Sequence, residues 1–155
     1  MSVVSADTLL RNKSIRRTRA RIAVLKYLLS EAVPLSAGQV TAASRLRSFD
    51  RVTIYRTLST LKGGGLLHAV QGVDGTCYYS AHAPESSGCP GNHPHFFCLR
   101  CERMYCLSGQ SLPRVRVPGD AYVQGKQLVV YGTCGECRRK QQRSDKVHTT
   151  RRSAE

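Results

Sequence analysis

The sequence contains no tryptophan and few aromatic residues of any kind, 6% in all. A core built from it must therefore be mostly aliphatic. It also lacks any run of about 18 apolar residues, so neither a membrane-spanning helix nor a membrane partner is expected. The N-terminal stretch MSVVSADTLLRNK has neither a long apolar segment nor a cleavage-like site. No signal peptide is expected, and the protein is predicted to be cytoplasmic.

Acidic residues are scarce. Only 10 Asp and Glu oppose 24 Lys and Arg, which gives a formal net charge of +14 over 155 residues. Such an excess of positive charge predicts a polyanionic partner, most often nucleic acid. The alternative is a solvated basic surface, since part of the charge lies in basic stretches near the two ends. The length suits one ordinary domain or two small ones.

Cysteine, by contrast, is abundant, with seven copies. In a chain with no secretory signal, clustered cysteines more often bind metal or perform chemistry than form structural disulfides. The sequence therefore favours metal sites over a disulfide framework.

Apolar spacing predicts three helices in the first half of the chain. The segment Thr18–Ala32 places its apolar residues on one helical face. Ser36 is a suitable N-cap for a second helix. Ser48 or Asp50 can cap a third helix, which starts at about Arg51 and carries several basic residues.

A hairpin is predicted to follow these helices, with the strands LLHAVQ and TCYYSA around the turn GVDG. Three helices and a hairpin are the order of elements in a winged-helix DNA-binding domain. A plain helical bundle is the alternative, and the basic third helix and the hairpin favour the winged helix.

The second half of the chain has a different character. Residues 84–92 are rich in Pro, Gly and Ser and predict a hinge. The stretch HFFCLRCERMYCL predicts a strand, a Cys turn and a second strand, and AYVQGKQLVVYGTCGEC predicts a strand that ends in another Cys turn. Pro113 and Pro118 argue against a long helix between these stretches.

The two C-x-x-C motifs predict a structural zinc site. Two residues between thiolates let one tight turn direct both sulfurs at one ion, and two such turns complete a tetrahedron. A pair of redox dithiols is the alternative, which no thioredoxin-like βαβ pattern supports. The predicted zinc ligands are Cys98, Cys101, Cys134 and Cys137.

A second group of potential ligands surrounds the hinge. His93 and His95 are two positions apart, so they point the same way on an extended chain. His68 and His82 lie on or beside the two hairpin strands. A metal held by groups from both halves would fix their relative orientation, which is a design for a metal-controlled switch. Any one of these histidines could instead be an ordinary core or surface residue.

With TIYRTLSTLKGGGLLHAV, HPHFFCLRC and GTCGEC, the chain resembles the ferric uptake regulator (Fur) family of bacterial metal-responsive repressors. The resemblance covers roughly Ile15 to Cys137, and the combination of motifs is specific. It implies an N-terminal winged helix, a hinge and a C-terminal α/β dimerisation domain. It also implies a homodimer that binds metal as corepressor and recognises AT-rich inverted repeats in double-stranded DNA.

The expected fold class is therefore α+β, a winged-helix DNA-binding domain plus a small α/β dimerisation domain with a four-cysteine zinc site. The expected organisation is a flexible N-terminal segment at 1–14, the winged helix at 15–83, the hinge at 84–92, the zinc-binding dimerisation domain at 93–137 and a basic flexible tail at 138–155.

The resemblance also assigns roles to single residues. The four cysteines match the family's structural zinc site. The regulatory ligands it implies are His68, His82, His93 and His95, with Cys89 and Cys106 as alternates. In the TIYR segment and just before it, the expected DNA contacts are Arg51, Thr53, Tyr55 and Arg56.

Several departures from the family pattern favour zinc as the sensed metal. Pro34 lies about where many iron- and peroxide-sensing members carry a further His, and Cys106 replaces a frequent carboxylate ligand. Asn92 and Pro94 stand where neighbouring ligands are usual. The remaining His and Cys ligands suit Zn²⁺ better than iron or manganese. The sequence thus predicts a zinc-responsive repressor of zinc-uptake genes, similar to the Zur branch, with another divalent metal as regulatory ion left open.

Three alternatives remain. One is an iron-, nickel- or haem-responsive regulator of the same family, and another is a constitutive DNA-binding zinc protein. The third is a thiol enzyme or redox switch using Cys77, Cys89 or Cys106, for which the sequence supplies no convincing Cys–His–carboxylate set. No enzymatic activity is expected.

Overall fold

The computed structural model describes residues 5–31, 33–81 and 93–152, with side chains as far as Arg143. The elements are α1 (Ala6–Asn12), α2 (Arg19–Ser30), β1 (Leu35–Ser36), α3 (Ala37–Ala42), a 3₁₀ turn (Ser44–Leu46), α4 (Arg51–Gly63), β2 (Leu67–Gln71), β3 (Cys77–Ala81), β4 (His95–Cys98), β5 (Met104–Cys106), β6 (Val129–Gly132) and α5 (Gly135–Arg152). The predicted order of three helices and a hairpin is confirmed by α2, α3, α4, β2 and β3.

The helices begin at side chains that satisfy their first backbone N–H groups. The Ser36 hydroxyl accepts from the Gln39 N–H at 3.2 Å, and the Gln39 side chain accepts from the Ser36 N–H at 2.8 Å. Asp50 accepts from the Thr53 N–H at 2.8 Å and is the cap of α4. These contacts are the capping arrangement expected from Ser and Asp at helix N-termini.

The helices of the first half enclose one aliphatic core. Its buried members are Ala6, Leu9, Leu10, Val24, Leu25, Leu28, Leu35, Val40, Leu46, Ile54, Leu58, Leu61, Leu66 and Leu67. No aromatic residue belongs to this buried set, which agrees with the expectation of a mostly aliphatic core.

The expectation of a flexible segment at 1–14 must be corrected over Ala6–Asn12, which form α1. Ser5 caps the helix by accepting from the Thr8 N–H at 3.2 Å. Leu9 and Leu10 are buried in the aliphatic core. A helix of this length is marginal on its own, so tertiary burial rather than local propensity stabilises it.

Two small sheets follow. In the first, the strand order is β1-β3-β2 and both pairings are antiparallel. In the second, the order is β5-β4-β6, with β4 antiparallel to β5 and parallel to β6. The predicted strands on either side of the Cys turns are thereby confirmed, and β4 is the central strand.

The two sheets contact each other through a small apolar cluster. Its buried members are Val70 and Tyr78 from the first sheet and Phe97 and Met104 from the second, with Val129 packed against them. The rings of Tyr78 and Phe97 meet edge to face, with centroids 5.6 Å apart. The first half of the chain is therefore in direct contact with the second.

Residues 107–128 contain no helix or strand. The absence of a long helix agrees with the prolines there, but the strand expected from AYVQGKQLVVYGTCGEC must be corrected, because it is confined to Val129–Gly132. The expectation of a flexible tail from residue 138 must be corrected, because α5 extends to Arg152. Arg, Lys and Gln are strong helix formers, and Lys140 donates to Glu136 one turn earlier at 2.8 Å. Among the described residues, no helix is both long enough and apolar enough to cross a membrane.

Candidate metal centres and nucleic-acid interface

The four predicted zinc ligands converge because β4 and β6 are neighbours. Cys98 ends β4 and pairs with Gly132 of β6, so the turns that follow these strands lie side by side. The sulfurs of Cys98, Cys101, Cys134 and Cys137 all lie within 4.8 Å of one another. All four are free thiols. The structure thus brings together residues that are 36 positions apart in sequence.

The geometry of this cluster fits a tetrahedral metal. Zn–S bonds of about 2.3 Å imply sulfur–sulfur distances of about 3.8 Å in a tetrahedron. The Cys101 and Cys134 sulfurs are 3.9 Å apart. Soft thiolates in such a group are the ligands that structural Zn²⁺ prefers.

Backbone N–H groups support negative charge on part of the cluster. Burial alone would raise the pKa of Cys98, but N–H groups of Cys134, Cys101 and Arg100 outweigh it and lower this pKa to about 6. The Cys137 N–H likewise lowers the pKa of Cys134. Burial raises the pKa of Cys101 and of Cys137. Two of the four thiols are therefore predisposed to the thiolate form that binds metal.

A second cluster lies at the other end of β4. The potential ligand atoms of His93, His95 and Cys106 lie within 4.8 Å of one another. Cys106 is opposite His95 in the antiparallel register of β4 and β5, and this register brings the thiol to the imidazoles. Both histidines are buried, with exposed fractions of 4% and 1%. The predicted common direction of the two imidazoles agrees with ring centroids 4.7 Å apart.

His68 reaches the same place from the first half of the molecule. Its ring centroid is 5.7 Å from that of His95 and 6.4 Å from that of His93. The cluster therefore combines a side chain of the hairpin with side chains of β4 and β5. The predicted ligands His82 and Cys89 lie outside the described residues.

Helix α4 presents a basic and aromatic outer face. Ile54, Leu58 and Leu61 point into the core, while Arg51, Tyr55 and Arg56 are exposed. The Arg51 guanidinium lies 5.7 Å from the centroid of the Tyr55 ring. An exposed helical face of this kind can enter a groove of DNA and contact phosphates.

Thr53, the remaining predicted DNA contact, takes part in the helix cap. Its hydroxyl donates to the Asp50 carboxylate at 2.6 Å. The hydrogen bonds from the Thr53 side chain and backbone lower the pKa of Asp50. Thr53 thus holds the start of α4 in place in this structure.

One polar contact between the halves has no counterpart in the sequence analysis. The Gln127 side chain bonds with the main chain of Gln71, 56 residues away. A side-chain amide that meets a distant peptide group leaves no spacing pattern, so no sequence signal predicts it.

The comparison with known proteins agrees with this architecture. Residues 12–116 match the model of the ferric uptake regulator family. Among solved structures, the Vibrio cholerae ferric uptake regulator is similar over 83% of this chain and 98% of that one, at 17% identity and a TM-score of 0.58.

Two further structures share the fold. A zinc-bound manganese uptake regulator aligns with 84% of this chain and 98% of its own, at 15% identity and a TM-score of 0.60. A structure of holo XcZur aligns with 83% of this chain and 90% of its own, at 22% identity and a TM-score of 0.52. With its helices and hairpin, its second sheet and its four-cysteine cluster, the chain belongs to the ferric uptake regulator family, whose members are metal-responsive, DNA-binding transcription regulators.

Proposed function

We propose that the protein is a homodimeric, zinc-responsive repressor of zinc-uptake genes that binds palindromic AT-rich operators. The observation that carries this proposal is the composition of the second cluster, His93, His95 and Cys106 with His68 beside them. Among the residues that the structure describes, this group supplies nitrogen and sulfur ligands and no carboxylate. Imidazole and thiolate suit Zn²⁺, whereas oxygen ligands suit manganese and magnesium.

In this proposal the two clusters have different tasks. Cys98, Cys101, Cys134 and Cys137 hold a permanent zinc that stabilises the second half of the chain. The histidine cluster holds the regulatory ion, with Cys106 as a ligand and with His82 and Cys89 as further candidates. The described residues favour Cys106, because the register of β4 and β5 brings it to His95.

The regulatory ion would act on the relative position of the two halves. His68 belongs to β2 of the winged helix, whereas His93, His95 and Cys106 belong to the second half. An ion bound by both favours the arrangement in which these ligands meet. It shifts DNA affinity only as far as it prefers that arrangement over others.

A second copy of the chain is the proposed partner of exposed apolar side chains in the second half. They are Val115, Val117, Tyr122, Val123, Leu128, Val130 and Tyr131. Tyr122 is the most exposed of them, at 88%. A two-fold dimer formed there would place two winged helices symmetrically, and a symmetric dimer recognises a palindrome.

Helix α4 is the proposed reading element. Arg51 and Arg56 would contact phosphates, which supply salt-dependent affinity, and Tyr55 a thymine methyl or a phosphate. Thr53 would contribute at the helix start, where it caps with Asp50. The proposal places the protein in the cytoplasm as a regulator and not as an enzyme.

Two alternatives differ from this proposal in how DNA binding responds to metal. A regulator that responds to iron, nickel or haem would share the fold and the DNA-binding helix. A constitutive DNA-binding zinc protein would keep only the four-cysteine site.

Metal titration with operator binding as the readout tests the proposal. An operator would first be selected from random DNA in the presence of zinc. We expect zinc to tighten operator binding by roughly 5–150-fold, the usual range for allosteric coupling. The double variant His93→Ala, His95→Ala should lose this response and remain a folded dimer.

His148→Ala, which removes a histidine far along α5, is the matched control and should respond as the unchanged protein does. A response to iron or nickel at lower free metal than zinc would favour the first alternative. Equal operator affinity with and without a chelator that removes zinc from the histidine cluster but not from the four-cysteine cluster would favour the second alternative.

A further inference from the structure

A side-chain amide joins the two halves beside the histidine cluster. The Gln71 N–H donates to the Gln127 Oε1 at 2.9 Å, and the Gln127 Nε2 donates to the Gln71 carbonyl at 2.7 Å. The N–H and the carbonyl of Gln71 are thus both engaged by one side-chain amide. This two-point contact fixes a direction as well as a distance.

The contact lies on the outer edge of β2. In the order β1-β3-β2, strand β2 has a neighbour on one side only. The next residue, Gly72, donates its N–H inward to the Thr76 carbonyl at 2.8 Å. Main-chain groups alternate in direction along an antiparallel strand, so those of Gln71 point outward. The Gln127 amide therefore takes the place of a missing strand at this position.

The same short segments carry the histidine cluster. His68 precedes Gln71 by three residues on β2, and its ring is 5.7 Å from that of His95. On the other side, Leu128 follows Gln127 directly and accepts from the His95 N–H at 2.9 Å. A displacement at Gln71 would therefore move His68 relative to His95.

The apolar cluster between the sheets supports this contact but does not define its register. Burial of Val70 and Tyr78 against Phe97 favours contact, and the hydrophobic effect is non-directional. Burial alone therefore constrains the register of the two sheets less sharply than directional hydrogen bonds do. The two hydrogen bonds of Gln127 would not survive a slide of one sheet over the other, since they weaken steeply when misaligned.

We infer that Gln127 is a positioning residue for the regulatory metal site, which holds the hairpin in the register that presents His68 to His93 and His95. This inference rests on the proposed function, because it assigns that site a part in metal response. Metal binding and the Gln127 contact favour the same arrangement of the halves. Each therefore strengthens the other by the same factor.

The test is the affinity of zinc for the histidine cluster, measured on the full-length protein by competition with a chromophoric chelator. Gln127→Ala removes both hydrogen bonds. Because water partly replaces them, their loss should weaken zinc binding roughly 3–30-fold. Gln142→Ala, at an exposed glutamine of α5, is the matched control and should leave zinc affinity unchanged.

A second readout follows the contact itself. The Gln71 amide should exchange its hydrogen faster in Gln127→Ala than in the unchanged protein, and zinc should slow this exchange in the unchanged protein. If Gln127→Ala unfolds, Gln127→Asn, which is shorter by one methylene, replaces it. Zinc affinity within twofold of the unchanged protein would overturn the inference, whatever the amide exchange shows.

Different results would refute the proposed function and the proposed role of Gln127. Operator binding that ignores zinc would refute the proposed function, while the zinc affinity of the Gln127 variants would still decide whether Gln127 positions the site. Operator binding that responds to zinc, together with unaltered zinc affinity in those variants, would refute only the role of Gln127.

Discussion

The two halves of the molecule are stabilised in different ways. The first half encloses fourteen buried aliphatic residues, most of them contributed by α1 to α4 and the first sheet. The second half buries Phe97 and Met104 together with two residues of the first half, and it groups its buried cysteines separately. It also exposes most of the large apolar residues found between Val115 and Tyr131.

This difference indicates which half depends on a bound metal or a partner chain for its stability. A small domain with little apolar core usually needs a metal, a disulfide or a partner to fold. The second half has a four-cysteine cluster that could hold a metal and exposes the apolar side chains proposed to meet a second copy of the chain. The first half has a larger aliphatic core of its own.

The difference in stability between the two halves is tested most directly by removing a ligand from the four-cysteine cluster. In Cys98→Ser we expect loss of the zinc and of the fold of the second half, because structural zinc contributes on the order of 10 kcal/mol of apparent binding free energy. Zinc content, circular dichroism and size-exclusion chromatography measure this. Cys77→Ser, a change on β3 outside both clusters, should keep the zinc and the dimer. A zinc-loaded dimer of Cys98→Ser would contradict the assignment.

A smaller effect is expected from the core of the first half. Leu58→Ala should lower the free energy of unfolding by about 2–5 kcal/mol, because Leu58 is buried and its loss leaves a cavity. Urea denaturation with and without a chelator measures this, and the loss should be the same in both. Val52→Ala, on the same helix but 58% exposed, is the control and should change little. A loss that depends on the chelator would mean that the halves do not fold independently of the metal.

A third substitution, on the exposed face of α4, tests whether DNA binding belongs to the first half. Arg56→Ala should reduce the slope of log affinity for the operator against log salt by about 0.9, as expected when one phosphate contact is lost. Lys62→Ala removes the same charge from the last turn of α4 and is the matched control. Equal slopes for the two variants would show that Arg56 contributes only general charge.

Local features of this fold could be predicted from sequence because their causes lie within a few residues. Ser36 and Asp50 cap α3 and α4 where the pattern places them. The C-x-x-C spacing likewise predicts turns that gather two sulfurs each. In α1, by contrast, Leu9 and Leu10 are stabilised by burial in a core that other elements supply. A short N-terminal stretch therefore looked flexible in the sequence and is helical in the structure.

The histidine cluster was predictable only in part. The direction of His93 and His95 follows from an extended chain, but the place of Cys106 beside His95 depends on the register of two strands. From sequence, Cys106 is one of two alternates, the other being Cys89, because strand register is set by pairing and not by spacing. His82 and Cys89 remain predictions.

The helix caps, the helical periodicity and the paired cysteine turns can be read from the sequence, since each rests on interactions between near neighbours in the chain. The packing of α1 on the core, the approach of His68 to His95 and the contact of Gln127 with Gln71 depend on the three-dimensional fold. Those contacts join residues far apart in the chain. They form only once burial and strand pairing have brought the two halves together, and no local pattern records them.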